Sequence, residues 1–376
     1  MAQAGTSTET RQSITSERLR RAREVMAAEG VDLLLVTPSA DLQYLVALGT
    51  HQSERPTILA VEAGGGSTLV VPKFEAPLAA HLTGIPIRAY TDTQDPYALL
   101  LESLEGRAGA LTIAASDRMW AAFLLRLQAA FPGATFRPAS PLLAQLRMIK
   151  SPEERDLLAK AGAMADATFE RIVGTPFAGQ TELQVSTRLI EFLNEHGLDT
   201  SDWGAIVASG PNGASPHHLT GSREIREGDA VVLDFGGSLE GYYADMTRTV
   251  HVGPPTEEFR RVYDVVRGAQ ETGVNASRAG TPAEAVDAAT RDVIDAAGYG
   301  AYFLHRTGHG LGLDIHEDPY IVSGNSLTLQ PGMVFSVEPG IYLEGQFGVR
   351  IEDIVLVTEG AARRLNNSTH DLMIVG

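Results

Sequence analysis

In the first part of the chain, continuous apolar runs alternate with stretches whose apolar residues have helical spacing. This order predicts short strands separated by helices. Apolar side chains at helical spacing predict a helix over residues 16–29, with Ser16 as its N-cap and Gly30 as its stop. Continuous apolar runs predict strands at 31–36, 57–62, 68–71 and 111–114, and two further helices are predicted at 74–82 and 117–130. This alternation predicts a self-contained α/β domain over residues 15–145.

A second pattern of helices and strands begins after turn residues near position 140. A Ser or Thr followed three residues later by Glu or Gln predicts helix starts at Ser151, Thr181 and Thr281. These helices should end near residues 173, 197 and 297, and another is predicted over 256–272. Strand-like runs follow each pair of helices, at 231–250 and then at 333–337, 341–343 and 349–357. We therefore predict a second α/β (α+β) domain over residues 146–376, in which both halves contribute strands to one curved sheet.

The run VVLDFGGSLEGYYADMTRTV at 231–250 carries one acidic residue in each of two apolar strands. A turn centred on Leu239 and Glu240 predicts a hairpin in which Asp234 and Asp245 lie opposite each other on one face. Two carboxylates in a half-buried ladder repel each other and resist desolvation, so a divalent cation is expected between them. The alternative is that one aspartate caps a turn and the other is solvated.

Three more candidate metal ligands lie in the last third of the chain. Glycines flank His309, which suits a histidine presented to a ligand at a strand edge or tight turn. Glu338 ends one apolar run, and Glu352 lies inside another. Four carboxylates gathered in one pocket carry four negative charges, which two divalent cations would balance. Mostly oxygen donors with one imidazole favour Mn²⁺, Co²⁺ or Fe²⁺ over a thiolate-bound structural zinc.

The composition of the chain argues against several kinds of partner and cellular location. The chain has 47 acidic and 30 basic residues, for a net charge of −17, which argues against nucleic acid as a partner. It has no cysteine, so it forms no disulfide framework. The first residues lack the apolar core of a signal peptide, and no apolar run approaches the ~18 residues of a membrane span. We expect a cytoplasmic protein without a membrane partner.

Five segments together resemble the motifs of the pita-bread metallopeptidases, above all the Xaa-Pro dipeptidases (prolidases) and Xaa-Pro aminopeptidases. They are LDFG at 233–236, YADMTRT at 243–249, GHG at 308–310 through HE at 316–317, VEPG at 337–340 and RIED at 350–353. They occur in the family's order and near its spacing. This resemblance covers residues 146–376, whereas residues 16–140 resemble the creatinase-type N-terminal domain of the same enzymes. It implies a pita-bread catalytic domain and a homodimer.

The resemblance also implies the metal site. Asp234 would bind one metal, Asp245 and Glu352 would bridge the two, and His309 and Glu338 would bind the second. Two divalent ions per subunit are expected, with Mn²⁺ first and Co²⁺ or Zn²⁺ as alternatives. Such a site lowers the pKa of bound water to about 7, which makes hydroxide available for attack on a peptide bond.

Further residues are assigned to the substrate by the same resemblance. His217 matches a histidine near the scissile carbonyl, and His316 matches one that contacts the residue after the cleaved bond. Glu338 would carry a proton towards the leaving nitrogen. The substrate would be a short peptide with proline at its second position and its free α-amine near the metals.

The sequence leaves the exact peptidase type open. A dipeptidase needs a cation for the substrate's carboxylate. Several prolidases carry an arginine where this chain has Tyr320, so Arg55 of the N-terminal domain, from the same chain or from a partner subunit, is a candidate for that role. Tyr320 and Arg350 are further candidates for contact with the substrate. Xaa-Pro dipeptidase is favoured; the alternatives are an Xaa-Pro aminopeptidase that acts on longer peptides and a catalytically inactive module of the same fold that binds peptides or proteins.

Overall fold

The chain folds into two compact units, Met1–Arg147 and Met148–Gly376, in a computed structural model that describes residues 8–105, 109–202 and 204–376. Within those described residues, no helix combines the length and the apolar character that crossing a membrane requires.

The first unit is built on a six-stranded mixed sheet in the order β4-β3-β2-β1-β5-β6. Its strands are β1 (Leu33–Val36), β2 (Ile58–Glu62), β3 (Ser67–Pro72), β4 (Ile87–Tyr90), β5 (Thr112–Ala115) and β6 (Thr135–Pro138). Its helices are α1 (Thr8–Ala28), α2 (Ala40–Val46), α3 (Pro96–Ser103), α4 (Ala121–Ala130) and α5 (Ser140–Arg147). Apolar side chains from β1, β2, β3 and β5 pack against α3 and α4 to form a core.

The four predicted strands of this unit are confirmed as β1, β2, β3 and β5, with shifts of one or two residues at their ends. The predicted N-cap at Ser16 is wrong, because α1 already begins at Thr8. The helix predicted over 74–82 is reduced to a 3-10 turn at Ala76–Ala79. Strands β4 and β6 were not predicted, since most of their residues are exposed or half-buried and give no continuous apolar run.

Within its described residues, 148–202 and 204–376, the second unit contains four long helices and three sheets. The helices are α6 (Pro152–Ile172), α7 (Glu182–Glu195), α8 (Glu257–Ala276) and α9 (Ala283–Ala296). The strands are β7 (Ile206–Ser209), β8 (Ala230–Leu239), β9 (Tyr242–Val252), β10 (Gly308–Gly310), β11 (Glu317–Ile321), β12 (Val334–Val337), β13 (Gly340–Leu343), β14 (Phe347–Arg350), β15 (Asp353–Leu356), β16 (Arg363–Arg364) and β17 (Ile374–Val375). They form the sheets β17-β9-β8-β7, β11-β10-β12-β15-β16 and β13-β14.

Two of the three predicted capping boxes are confirmed. The hydroxyl groups of Ser151 and Thr181 each accept a hydrogen bond from the backbone N–H three positions later. The side-chain oxygens of Glu154 and Gln184 in turn accept one from the backbone N–H of the cap residue. The box predicted at Thr281 is wrong, because the backbone N–H of Glu284 donates to the carbonyl of Asn325 instead. Helix α9 therefore begins after Pro282 without a side-chain cap.

Each pair of helices covers one group of strands. Helices α6 and α7 pack on β7, β8 and β9, where Leu233, Phe235 and Met246 are buried in the shared core. Helices α8 and α9 pack on β11 to β15 through two further apolar clusters. Because side chains alternate along a strand, Asp234 and Asp245 lie on the face of the β8–β9 hairpin opposite to that core.

Candidate metal centre

The β8–β9 hairpin brings Asp234 and Asp245 onto one face, but not in the predicted register. The ladder places Asp234 opposite Thr247, and Asp245 opposite Gly236. The prediction that the two aspartates lie directly opposite each other is wrong, because the turn lies one residue later, at Glu240 and Gly241, which both have positive φ. The resulting shift of two residues keeps both side chains on the same face, as diagonal neighbours.

His309 lies in the middle of β10, which pairs with β11 on one side and β12 on the other. The flanking glycines are required by the neighbouring backbone, since a Cβ at Gly308 would lie 1.8 Å from the carbonyl oxygen of Ser336. A Cβ at Gly310 would lie 2.3 Å from that of Asp318. The expectation of a strand edge or tight turn is therefore wrong, and the sheet fixes the histidine from both sides.

Glu338 and Glu352 are placed by backbone contacts at strand ends. Glu338 directly follows β12, and its N–H donates to the carbonyl of Thr307 at 2.8 Å. Glu352 lies in a break between β14 and β15, so the single strand predicted over 349–357 is divided at this residue. The Glu352 N–H donates to the carbonyl of Thr247 at 3.0 Å, and Thr247 Oγ1 donates to Glu352 Oε2 at 2.7 Å. Glu352 is thereby held against β9.

These elements bring several metal-ligating groups together. One atom from each of Asp245, His309 and Glu352 lies within 4.8 Å of the other two. His309 Nε2 lies 3.6 Å from Asp245 Oδ2 and 3.3 Å from Glu338 Oε1. In the described part of the chain, the buried oxygens Asp245 Oδ1 and Glu352 Oε1 have no hydrogen-bond partner. Buried acceptor oxygens left unpaired beside an imidazole fit divalent cations as their missing partner.

The electrostatics of the cluster point to the same conclusion. Burial raises the pKa of Asp245 well above its ordinary value, and the charges of Asp234 and Glu338 raise it further. Burial also raises the pKa of Glu352, with the Asp245 charge as the next cause. Burial lowers the pKa of His309 to about 3, so its imidazole is neutral near pH 7 and offers a lone pair. Without cations, this group of carboxylates is therefore unfavourable when ionised.

Glu338 leads to a prediction about the pH dependence of stability. Burial raises its pKa to about 7, from 4.5 for the ordinary side chain. The proton that it binds more tightly in the folded state stabilises the protein fully below pH 4.5, and this contribution is lost as the pH rises through 7. We expect the thermal midpoint of the chelator-treated protein to fall, relative to that of a Glu338→Gln variant, as the pH is raised through this window. A difference between the two proteins that is independent of pH would contradict the raised pKa.

Arg350 lies against Asp234. Its Nη2 donates to Asp234 Oδ2 at 2.6 Å, its Nε to Thr247 Oγ1 at 3.0 Å and its Nη1 to the Tyr342 hydroxyl at 3.1 Å. The side chain is only 5% exposed. The guanidinium therefore fixes Asp234 in place. The contact of Arg350 with the substrate, which the sequence suggested, stays a prediction.

Of the other candidate substrate residues of this unit, His316 and Tyr320 adjoin His309. The rings of His316 and His309 meet at 76° in an edge-to-face arrangement, with 4.2 Å between centroids. Tyr320 lies opposite His309 in the β10–β11 ladder, and the guanidinium of Arg306 lies 4.4 Å above its ring. His217 is exposed on the loop that follows the 3-10 turn Gly210–Ala214.

Two residues of the site were missed by sequence reasoning, His305 and Tyr342. The two side chains form a 2.7 Å hydrogen bond between His305 Nε2 and the tyrosine hydroxyl. Burial lowers the pKa of His305 to about 4, and the charges of Arg350 and His217 act in the same direction. Burial raises the pKa of Tyr342 to about 12. His305 lies four residues before the predicted ligand His309, and Tyr342 lies four residues after Glu338. This proximity to the ligand motifs is the sequence signal that could have identified them.

Arg55 lies in the first unit and already has acidic partners. Its Nε and Nη2 donate to the two carboxylate oxygens of Asp92 at 2.7 and 3.2 Å, and its Nη1 donates to Glu54. Both acids are largely exposed. An exposed ion pair contributes little free energy, so the guanidinium can exchange these partners for another anion.

Comparison with known proteins agrees with the two-unit architecture. Residues 156–359 match the model of metallopeptidase family M24, and residues 18–149 match that of the creatinase/prolidase N-terminal domain. The chain is 42% identical over 367 residues to the probable dipeptidase PepE of Mycobacterium tuberculosis, covering 96% of this chain and 97% of that protein. It is 37% identical over 290 residues to the Xaa-Pro dipeptidase of Lactobacillus helveticus, covering 76% and 79% of the two chains. The crystal structure of prolidase from Thermococcus sibiricus superposes with a TM-score of 0.92 at 38% identity, covering 96% and 99%.

Proposed function

The chain belongs to metallopeptidase family M24, and from this premise we propose that it is a two-metal exopeptidase that hydrolyses the bond before proline in Xaa-Pro dipeptides. Membership of the family confirms the predicted metallopeptidase class and the predicted order of a creatinase-type domain and a pita-bread domain. The observation that carries the proposal is the convergence of buried carboxylates with unpaired oxygens around a neutral His309.

Five side chains would hold the metals. These are Asp234, Asp245, His309, Glu338 and Glu352, which together would hold two divalent ions. The support is the short distances around His309 Nε2 and the mutual electrostatic effect of the four carboxylates. Manganese is the metal that we propose first, with Co²⁺ or Zn²⁺ as alternatives.

Divalent ions at this site would supply Lewis acidity, which lowers the pKa of water and polarises the peptide carbonyl. The protein's own groups would act around that chemistry. His217 would donate a hydrogen bond to the oxygen of the scissile carbonyl as negative charge develops there. Glu338, which accepts a hydrogen bond from Ser336 Oγ at 3.1 Å, would pass a proton to the leaving nitrogen. His316 would contact the proline residue after the cleaved bond.

The substrate would be a short peptide with proline at the second position. Proline has no N–H, so its ring has to be oriented by shape and contact, a role that we give to Tyr320 and His316. Arg350, whose guanidinium donates to Asp234, would also contact the substrate. We further propose that the protein works in the cytoplasm as a homodimer, with its domain boundary near residue 146.

Arg55 supplies the test of dipeptide selectivity. If its guanidinium binds the carboxylate of a dipeptide, Arg55→Ala should lower kcat/KM for Gly-Pro by about 10- to 100-fold, the loss expected for a hydrogen bond between charged groups. Cleavage of Gly-Pro-Ala should change much less, since its carboxylate lies one residue further on. Arg88→Ala, which removes an exposed arginine from β4 of the same domain, is the matched control. Equal losses on both substrates would remove Arg55 from this role.

Xaa-Pro aminopeptidase is the second candidate, because Tyr320 stands where several prolidases carry an arginine. Initial rates on Ala-Pro, Met-Pro and Ala-Pro-Ala with Mn²⁺, Co²⁺ or Zn²⁺ decide between the two types. Preference for the dipeptides supports the proposal, preference for Ala-Pro-Ala supports the aminopeptidase, and no cleavage of any of the three rejects both.

A further inference from the structure

The loop that carries His217 is attached to a buried carboxylate that the proposed chemistry does not use. Glu182, the first residue of α7, has a completely buried side chain. Its Oε1 accepts hydrogen bonds from the N–H of Ser209 at 2.8 Å, the hydroxyl of Ser209 at 2.7 Å and the side-chain amide of Asn212 at 2.9 Å. These donors lie at the start of the loop.

The second oxygen of Glu182 binds the end of the same loop. His218 Nε2 lies 2.8 Å from Oε2, and the N–H of Gly221 donates to Oε2 at 3.3 Å. His218, the direct neighbour of His217, thus has its ring fixed by a group 36 residues earlier in the chain. One carboxylate therefore joins both ends of the segment that presents His217.

This carboxylate is stable as an anion in the folded protein. Burial alone would raise the pKa of Glu182, but the hydrogen bonds from Ser209, Asn212 and His218 outweigh burial and lower the pKa below its ordinary value. A buried carboxylate is costly unless its oxygens are satisfied. Movement of the loop would remove these donors, so the loop is strongly held.

The middle of the loop packs against strand β14, whose last residue, Arg350, contacts the predicted metal ligand Asp234. A Cβ at Gly348 of β14 would lie 1.9 Å from the carbonyl oxygen of Gly213, so the two backbones are in direct contact. Arg350 Nη1 lies 3.4 Å from the carbonyl oxygen of Pro216. The residue before His217 thus touches the guanidinium that fixes Asp234, while the residue after it is bound to Glu182.

We propose that Glu182 is a positioning residue that acts through His218 and Ser209 to hold His217 beside the scissile carbonyl. This inference rests on the proposed function, because it adopts the role given there to His217. A misplacement of about 1 Å in a group that contacts the reacting atoms can cost on the order of 100-fold in rate.

The test compares Glu182→Gln with a matched control, Asp166→Asn. Asp166 is also a buried carboxylate of the second unit, and it accepts hydrogen bonds from the backbone of Asn367 and Ser368 and from the Ser368 hydroxyl. Both variants should lose thermal stability. Only Glu182→Gln should lower kcat, by about 10- to 100-fold with a smaller change in KM. It should also accelerate backbone amide exchange over residues 209–221 while the bound Mn²⁺ per chain stays unchanged.

A double-variant cycle separates positioning from a general loss of stability. If Glu182 acts through His217, adding Glu182→Gln to His217→Ala should lower kcat no further than His217→Ala alone. Losses that multiply, equal losses of kcat in the Asp166→Asn control, or unchanged exchange over residues 209–221 would each overturn the proposal. Amide exchange is measured without substrate. Failure of the wild type to cleave Xaa-Pro peptides would therefore reject the proposed function, while the exchange result would still decide whether Glu182 holds the loop.

Discussion

Replacement of Asp245 by asparagine is expected to abolish hydrolysis of Xaa-Pro dipeptides, with a loss in kcat/KM on the order of 10⁴ or more. Asparagine has nearly the same size, but it removes a negative charge and replaces one acceptor oxygen by a donor. One Asp245 oxygen lies 3.6 Å from His309 Nε2, and the other is buried without a hydrogen-bond partner among the described residues. The unpaired oxygen is available to bind a cation, and the substitution weakens that capacity.

The same substitution should have opposite effects on stability with and without metal. In the chelator-treated protein, Asp245→Asn removes a buried charge that is repelled by Asp234 and Glu338, so the thermal midpoint should rise. With Mn²⁺ present the midpoint should fall, because a ligand is lost and binding no longer stabilises the folded state. Asp166→Asn should lower both midpoints. Substantial residual hydrolysis by Asp245→Asn, or a lower midpoint in the metal-free protein, would contradict the assignment.

Replacement of Arg350 by methionine is expected to lower the free energy of unfolding by about 3 to 5 kcal/mol, the cost of removing one partner from a buried ion pair. The guanidinium neutralises Asp234 and also donates to Thr247 and Tyr342, so all three lose a hydrogen bond together. Hydrolysis should fall as well, because Asp234 would no longer be held in position. Urea unfolding of the chelator-treated proteins measures the stability change.

The control for this prediction is Arg171→Met in the same unit. Arg171 pairs with Glu195 on the surface, with both side chains more than 40% exposed. Such pairs contribute about 0 to 1 kcal/mol, so this variant should unfold close to the wild type. If Arg350→Met destabilises the protein no more than Arg171→Met, the Arg350 contacts do not organise the site.

Features that depend on adjacent residues were predictable from the sequence. The capping boxes at Ser151 and Thr181 form because each needs only four consecutive residues and a helix to follow. The placement of Asp234 and Asp245 on one face followed from the alternation of side chains in a hairpin. Its register did not, because the sequence does not reveal that the turn is centred on Glu240 and Gly241 and not on Leu239 and Glu240. Glu240 has no special preference for the positive φ that this turn requires.

Features that depend on distant parts of the chain were not predictable in this way. The box at Thr281 fails because Asn325 takes the required N–H, a contact across 41 residues. The setting of His309 between two strands depends on the backbone of Ser336 and Asp318, which no local pattern identifies. The hydrogen bond between His305 Nε2 and the Tyr342 hydroxyl joins the segment before β10 to β13, and no local pattern identifies it either. Motif order identified the acids, but only the fold shows which oxygens are left unpaired.

Titration of the chelator-treated protein with Mn²⁺ tests most directly whether the four carboxylates and His309 bind two divalent cations. Isothermal titration of the wild type should give two Mn²⁺ ions per chain, and Asp245→Asn should lose at least one of them. Binding of fewer than two ions by the wild type, or the same number of ions by the wild type and Asp245→Asn, would contradict the two-metal site.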